Sequence, residues 1–367
     1  MTLPSNFTSK ETTMLNPKTF SAKHIRALSA KHNKDPFLVE RMLFAFGLLE
    51  ALVRVDMPFI FKGGTSLMLL LEHPQRLSTD IDIIVEPDTD IKAYIKKASE
   101  IFPFERYEEQ IRKGQNNIVK RHFKFYYHSP AENDDFYIIL DVLFEENNYT
   151  SIVHRAINNE FLIAGENPKY EVAVPSIDCI LGDKLTAFAP HTTGILIDAG
   201  KELEIMKQLF DIASLIDGCK DLTAVQKTYQ AIATQEIAYR GLNITYKDVL
   251  KDTIEAAICI IGRGSIIAKN DYSVYKKGIT ALSNHIFVGK YTGDMAAVQA
   301  CKVLYLATCL LTNQSTMISV TNPDNYKTQK ISLKAYKKLD YVQKMNPEAY
   351  AYLLEATRLL EQNIAST

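Results

Sequence analysis

Phe61-Lys62-Gly63-Gly64-Thr65-Ser66-Leu67, followed further on by Arg76-Leu77-Ser78-Thr79-Asp80-Ile81-Asp82-Ile83-Ile84-Val85, is the stretch that decides the fold. Gly63 and Gly64 interrupt an apolar run from Pro58 to Phe61 and precede Leu67 to Leu71, which predicts a tight turn between a strand and a helix. At such a turn, free backbone N–H groups and the positive end of the helix face an incoming phosphate. Ser78 to Val85 reads as a strand, and side chains two apart on a strand share a face, so Asp80 and Asp82 point the same way. Adjacent carboxylates repel unless a cation lies between them. Hard oxygen ligands suit Mg²⁺ (or Mn²⁺), which keeps its remaining positions for water and substrate phosphates. A Gly-Gly pair alone is most often just a turn, and Asp-x-Asp alone is often a solvated strand end. The order of glycine turn, short helix, Arg-x-Ser and Asp-x-Asp strand is the one a nucleotide-binding half-site needs.

A nucleotidyl transfer centre with two metals needs another oxygen ligand from a neighbouring strand. Ile138-Ile139-Leu140-Asp141-Val142-Leu143-Phe144 is an apolar run with one acid in its middle, and its lack of alternation predicts a strand covered on both faces. An unpaired carboxylate there would be costly. Either the strand meets solvent at Asp141, or Asp141 looks across at Asp80 and Asp82 and shares their metal.

These residues together resemble the AbiEii-type nucleotidyltransferases, the toxin halves of AbiE and related MenAT-type systems within the polymerase-β-like superfamily. The first family motif is matched by Gly63, Gly64, Thr65, Leu67, Arg76, Ser78, Asp80, Ile81 and Asp82, and the second by Asp141. A third, a lysine early in a helix after the sheet, is matched by Lys184 in Leu181-Gly182-Asp183-Lys184-Leu185. The fourth, Lys-Asp-x-x-Asp, falls on Lys207-Gln208-Leu209-Phe210-Asp211, where Gln208 replaces the usual acid. The likeness covers roughly residues 35 to 217 and fades beyond. It implies a nucleoside triphosphate substrate, an RNA acceptor such as the 3′ end of tRNA, toxicity relieved by a separate antitoxin protein, and a role in phage defence.

The helical residues carry a reading of their own. Ile177, Ile180, Leu181, Lys184, Leu185 and Phe188 recur at helical spacing after Pro175, which puts Lys184 on an inward stripe. A lysine there either snorkels to water or meets an anion, and the family match makes that anion a triphosphate. In the next helix, Lys207 and Asp211 are four apart on one side; alone this could be a surface ion pair, in the weaker orientation. As the fourth motif, Asp211 would orient Lys184 or a substrate hydroxyl.

The 367 residues are 47% hydrophobic and 23% charged, enough for two or three cores. No segment reads as apolar over the roughly 20 residues of a membrane span, and Met1 to Lys23 is polar without a signal-peptide core, so a cytoplasmic protein with no membrane partner is expected. The five cysteines form no Cys-x-x-Cys pair, and reduced core thiols are expected. A net charge of −1 leaves RNA binding to local clusters. Candidates are Lys327, Lys330, Lys334, Lys337, Lys338 and Lys344 among Tyr326, Tyr336 and Tyr341; Lys276 and Lys277 after Tyr272 and Tyr275; and Lys120-Arg121-His122. Such runs are more often solvated faces. Gly262-Arg263-Gly264 reads as a turn between helices.

The expected class is α+β: a helical lead-in over 1–52, a nucleotidyltransferase α/β domain with a mixed sheet flanked by helices over 53–174, and a mostly α-helical C-terminal domain over 175–367. Helices are predicted at 175–190, 200–217, 222–239, 246–261, 273–288, 294–312 and 347–363. The mechanism expected is attack of an acceptor oxygen on the α-phosphate with departure of pyrophosphate. Asp80 and Asp82 would bind the nucleotide's metal, Asp141 would help activate the acceptor hydroxyl, and Lys184 would neutralise the triphosphate. Gly63, Gly64, Thr65 and Ser66 would cradle phosphate, with Arg76, Ser78 and Lys207 assisting. Transfer to a protein or small molecule, or nucleotide binding without turnover, are the rival readings, and the presence of all three carboxylates argues against the last.

Overall fold

A computed structural model of the chain describes residues 15–110, 119–165, 171–287, 289–318, 320 and 322–366. Part of the polar opening stretch, and residue 321 of the loop at 320–325, lie outside them. Two units are distinguishable: the first holds the described residues within 1–113, 119–146 and 153–174, the second those within 147–152 and 175–367.

The first unit begins with α1 (Ala22–His32) and α2 (Pro36–Arg54). Ser21 and Asp35 cap these two helices by accepting from the backbone N–H groups of His24 and Phe37, and Pro36 supplies a helical φ at the first position of α2. Then come β1 (Ile60–Lys62), α3 (Gly63–Leu70), β2 (Ile81–Val85), α4 (Lys92–Ser99), β3 (Arg106–Gln110), β4 (Lys120–His128) and β5 (Asp135–Phe144). The five strands form one mixed sheet, in the order β1-β2-β5-β4-β3; only β2 and β5 run parallel. A separate ribbon pairs β6 (Ile152–Ala156) with β7 (Glu171–Pro175).

Helix α2 packs on β2 and β5 and makes the core of this unit. Phe44 stacks on Tyr127 with centroids 3.8 Å apart, and Phe104 meets Phe125 edge-on. Phe123, Phe125 and Tyr127 of β4 and Ile138, Leu140 and Val142 of β5 are buried, whereas His122, Lys124, Tyr126, Ile139 and Asp141 are half-buried. Strand β5 is therefore covered on one face rather than two. Apolar Ile139 and Leu143 occupy its more open face, and they erased the alternation that would have revealed this from sequence.

The second unit is helical: α5 (Ile177–Ala187), α6 (Glu202–Ile216), α7 (Leu222–Tyr239), α8 (Tyr246–Ile261), α9 (Tyr272–Leu282), α10 (Gly293–Leu311), α11 (Val342–Met345) and α12 (Pro347–Ser366). The seven helices predicted from 175 onward are all present, six of them within three residues of their expected ends, whereas the one expected over 273–288 stops at Leu282. Their starts carry legible caps: Ser176 accepts from Cys179 N–H, Thr245 and Asp248 form a capping box, and Thr292 accepts from Met295 N–H. The Gly262-Arg263-Gly264 segment is the turn that ends α8, with Arg263 and Gly264 both in the left-handed region.

Helix α10 corrects one expectation. By length and composition it could cross a membrane, with mean hydropathy 1.4 over its most apolar window. That window is 72% buried, because α6, α8 and α12 pack around it, and the apolar run serves as the core of this unit. All five cysteines are free thiols; four are buried and Cys219 is half-buried. Burial pushes the Cys219 and Cys259 thiols up to about 12, which leaves both protonated and unreactive near neutral pH.

Candidate active site

Strand register in the first unit builds a polar row across the whole sheet. Lys62 of β1 lies opposite Asp82 of β2, Asp82 opposite Asp141 of β5, Asp141 opposite His122 of β4, and His122 opposite Gln110 of β3. Residues in register point to the same side, so Asp82 and Asp141 stand side by side on the open face. Asp80 lies two residues before Asp82, just ahead of β2, and is half-exposed. The first two family motifs thus meet on adjacent strands, where Asp141 faces Asp82 while keeping access to solvent.

Two partners of these carboxylates were not singled out by the sequence. The His122 ring Nδ1 lies 2.6 Å from Asp141 Oδ1, and Arg41 of α2 donates to Asp80 Oδ1 at 3.2 Å. In sequence His122 reads as part of a basic run with Lys120 and Arg121, but Arg121 turns away to a bidentate pair with Glu109, 2.7 Å at each contact. Register alone would have found His122. Arg41 comes from a helix 39 residues upstream, and no local pattern marks it.

The glycine turn sits against this row. Gly63 has φ +77° and opens α3, whose N-terminus receives no side-chain cap from Lys62. A Cβ on Gly63 would fall 2.0 Å from Asp82 Oδ2, so only glycine lets the backbone lie against that carboxylate. Behind Gly64, a Cβ would meet Arg76 Nη2 at 2.5 Å and Ser78 Oγ at 2.8 Å. Arg76 is buried and donates from Nη1 to the Leu77 carbonyl at 2.9 Å. Thr65 Oγ1 donates to the Asp80 carbonyl at 2.6 Å and lies 2.9 Å from Ser78 Oγ; Ser66 Oγ donates to the Gly63 carbonyl. Thr65 and Ser66 are fully buried. The side chains expected to cradle phosphate therefore brace the turn from within, and what the turn offers a phosphate is backbone.

Within the second unit, Lys184 of α5 and Asp211 of α6 form a buried ion pair, Nζ to Oδ2 3.0 Å, with side chains 9% and 2% exposed. The inward placement of Lys184 is as the spacing predicts, and its anion in this structure is Asp211. Lys207 does not pair with Asp211 at the surface: it donates to Glu204 at 2.9 Å, while Asp211 is turned inward. The Gln208 side-chain carbonyl is buried with no hydrogen-bond partner among the described residues.

Among the described residues, no three His, Cys, Asp or Glu side chains are gathered into a metal-sized cluster. Two carboxylates of the row, Asp82 and Asp141, nonetheless stand side by side on adjacent strands, and oxygen donors of this kind suit a hard divalent cation.

Two solved structures from Helicobacter pylori are similar at a low level. One is JHP933, 14% identical, covering 75% of this chain and 93% of its own with a TM-score of 0.41. The other is described as a proposed nucleotidyltransferase, 11% identical, covering 75% and 96%, also with a TM-score of 0.41. Among curated proteins, no relative matches the chain. The sequence model of the family described as nucleotidyl transferase AbiEii toxin, type IV toxin–antitoxin system, matches residues 47–270, more than half the chain and every candidate residue from Gly63 to Asp211. The chain belongs to the AbiEii family and is a nucleotidyltransferase of the toxin–antitoxin class.

Proposed function

We propose that this nucleotidyltransferase moves a nucleoside monophosphate from a nucleoside triphosphate to a hydroxyl of RNA, with the 3′ end of tRNA as the foremost acceptor, and that this arrests growth in the cytoplasm until an antitoxin intervenes. Phage defence would be the setting in which such arrest is useful. The observation that carries the chemistry is the in-register pair Asp82 and Asp141, with Asp82 against the Gly63 backbone.

In the reaction, the acceptor oxygen forms a bond to the α-phosphorus, the bridging bond to the β-phosphate breaks, and pyrophosphate leaves with that electron pair. A divalent cation, Mg²⁺ or Mn²⁺, held by Asp80, Asp82 and Asp141 would supply neutralisation of charge on the phosphate oxygens. The acceptor's proton passes to the Asp141 carboxylate, whose Oδ1 is held by His122. The backbone of Gly63, Gly64 and Thr65 orients the triphosphate's far end at the start of α3. Arg76, Ser78 and Ser66 keep that turn in shape. For Lys184, neutralisation of the triphosphate is supported by the family motif, and Asp211 fixes where its ammonium lies. Lys207 keeps a secondary, electrostatic role.

Expression of the wild-type chain from a tightly controlled promoter should arrest bacterial growth, and Asp80→Ala or Asp82→Ala should abolish the arrest while the purified variants stay folded by circular dichroism. Growth inhibition that survives either change would place the active site elsewhere.

A further inference from the structure

Two rows lie beside the carboxylate row on the open sheet face. In the first, Ile139 of β5 stands opposite Lys124 of β4, which stands opposite Glu108 of β3; in the second the order is Tyr137, Tyr126, Arg106. Rows follow one another two residues, about 6.7 Å, apart along the strands. The two tyrosine rings are 5.6 Å apart. The Arg106 guanidinium sits over the Tyr126 ring at 3.5 Å, and the Lys124 ammonium over the Tyr137 ring at 4.3 Å. Glu108, the one acid in the two rows, accepts from the Tyr126 hydroxyl at 2.7 Å. Beyond them His128 and Asp135 lie 3.1 Å apart and close the face. Arg106 is exposed, and Lys124, Tyr126 and Tyr137 are half-buried.

Cation-over-ring pairs across strands also stabilise a sheet edge with no ligand at all. The position of these pairs distinguishes them, because they begin one row from Asp141 in the same unit. We infer that Tyr126, Tyr137, Arg106 and Lys124 form the platform for a single-stranded RNA acceptor, holding the few unpaired nucleotides that lead to the reacting hydroxyl. This rests on the RNA reading proposed above. Every base has a π face, so tyrosine rings and a guanidinium plane stack bases with little regard to sequence. Arg106 and Lys124 add charge for the phosphates between those bases. The distance from the tyrosine row to the carboxylate row is one that a short unpaired tail spans. A protein partner could use the same tyrosines and arginine as anchors, and the experiment separates the two.

The test uses the full chain, with anisotropy of a 5′-fluorescein mixed-sequence oligoribonucleotide of about 12 nucleotides, within the site sizes of single-strand binders. Variants are Tyr126→Ala/Tyr137→Ala, Tyr126→Phe/Tyr137→Phe and Arg106→Gln/Lys124→Gln, with thermal melting and labelled nucleoside triphosphate binding measured on each. The alanine pair should weaken RNA binding by roughly tenfold or more, and the phenylalanine pair should restore it because the ring, not the hydroxyl, stacks. The exposed charge pair should weaken binding and flatten its dependence on salt. Triphosphate binding should not change in any variant. If wild type labels RNA and both the alanine and charge pairs bind RNA as wild type does, the platform is wrong while the RNA reading stands. If the alanine pair instead loses the antitoxin and keeps RNA, the face is a protein interface and the inference is overturned. If wild type labels protein and not RNA, the acceptor reading fails and the platform falls with it.

Discussion

At Gly63 a single methyl group would reach the chemistry. With φ +77° and a Cβ position 2.0 Å from Asp82 Oδ2, Gly63→Ala must displace either the turn or the carboxylate. The left-handed backbone alone costs about 1–3 kcal/mol for a non-glycine residue, and displacement of a reacting group by an ångström costs about a hundredfold in rate. Gly63→Ala should therefore lose far more transfer activity than stability, as read from a labelled-nucleotide assay beside a melting curve; full activity would deny Asp82 its role. His122→Ala should lower transfer about 10- to 100-fold with the fold retained, the usual effect of removing a group that orients a ligand, and an unchanged rate would mean that the 2.6 Å contact to Asp141 is incidental. The strand that carries Asp82 was legible from sequence, although it begins at Ile81 rather than Ser78 and so leaves Asp80 just ahead of it. His122 needed the register of two strands and Arg41 a tertiary contact, and neither is written in local spacing.

Between α5 and α6, the Lys184–Asp211 pair is buried deeply enough that its partners depend on each other. Asp211→Asn leaves a buried ammonium without its counter-charge and should destabilise the second unit by about 3–5 kcal/mol in urea unfolding. Lys184→Met/Asp211→Leu should regain most of that stability, since apolar replacement of a buried pair is often neutral, yet should remain inactive. A double variant that transfers nucleotide normally would make the pair purely structural. The helical stripe of α5 revealed that Lys184 points inward, but helical spacing says nothing of which anion a lysine will find. The spacing of Lys207 and Asp211 left a surface pair open beside the motif reading, in which Asp211 orients Lys184; Asp211 meets Lys184 because it sits where α6 meets α5, and Lys207 has Glu204 within one turn. Strand β5 shows the opposite limit: apolar residues on its open face concealed an alternation that burial makes plain.

Across the second unit, His191 ties the segment after α5 to two other helices. Its Nδ1 is 3.0 Å from Asp252 of α8, its Nε2 is 3.1 Å from Asp271 at the start of α9, and its backbone N–H donates to Asp252 as well. Burial works against the charged ring, but the hydrogen bond and charge of Asp252, with those of Asp271, outweigh it and raise the His191 pKa above its ordinary 6.5. A raised folded value means stabilisation that is full below the unfolded pKa and lost as pH climbs through the folded one. The melting temperature of the chain should accordingly fall as pH climbs from the ordinary histidine value of 6.5 through the raised folded one, and His191→Gln should flatten that slope; an unaltered slope would assign it to other groups. The helix order of this unit was readable from period, whereas a histidine bridging three segments was not, since Asp252 lies 61 residues beyond His191 and Asp271 further still. Function at this scale comes back to the carboxylate row of the first unit. The most direct test incubates the purified chain with Mg²⁺, each α-labelled nucleoside triphosphate in turn and total bacterial RNA, alongside Asp82→Asn, which keeps the size of the side chain and removes its charge. Label should enter a discrete RNA band with the wild type and vanish with the variant; transfer by Asp82→Asn at the wild-type rate would contradict the site.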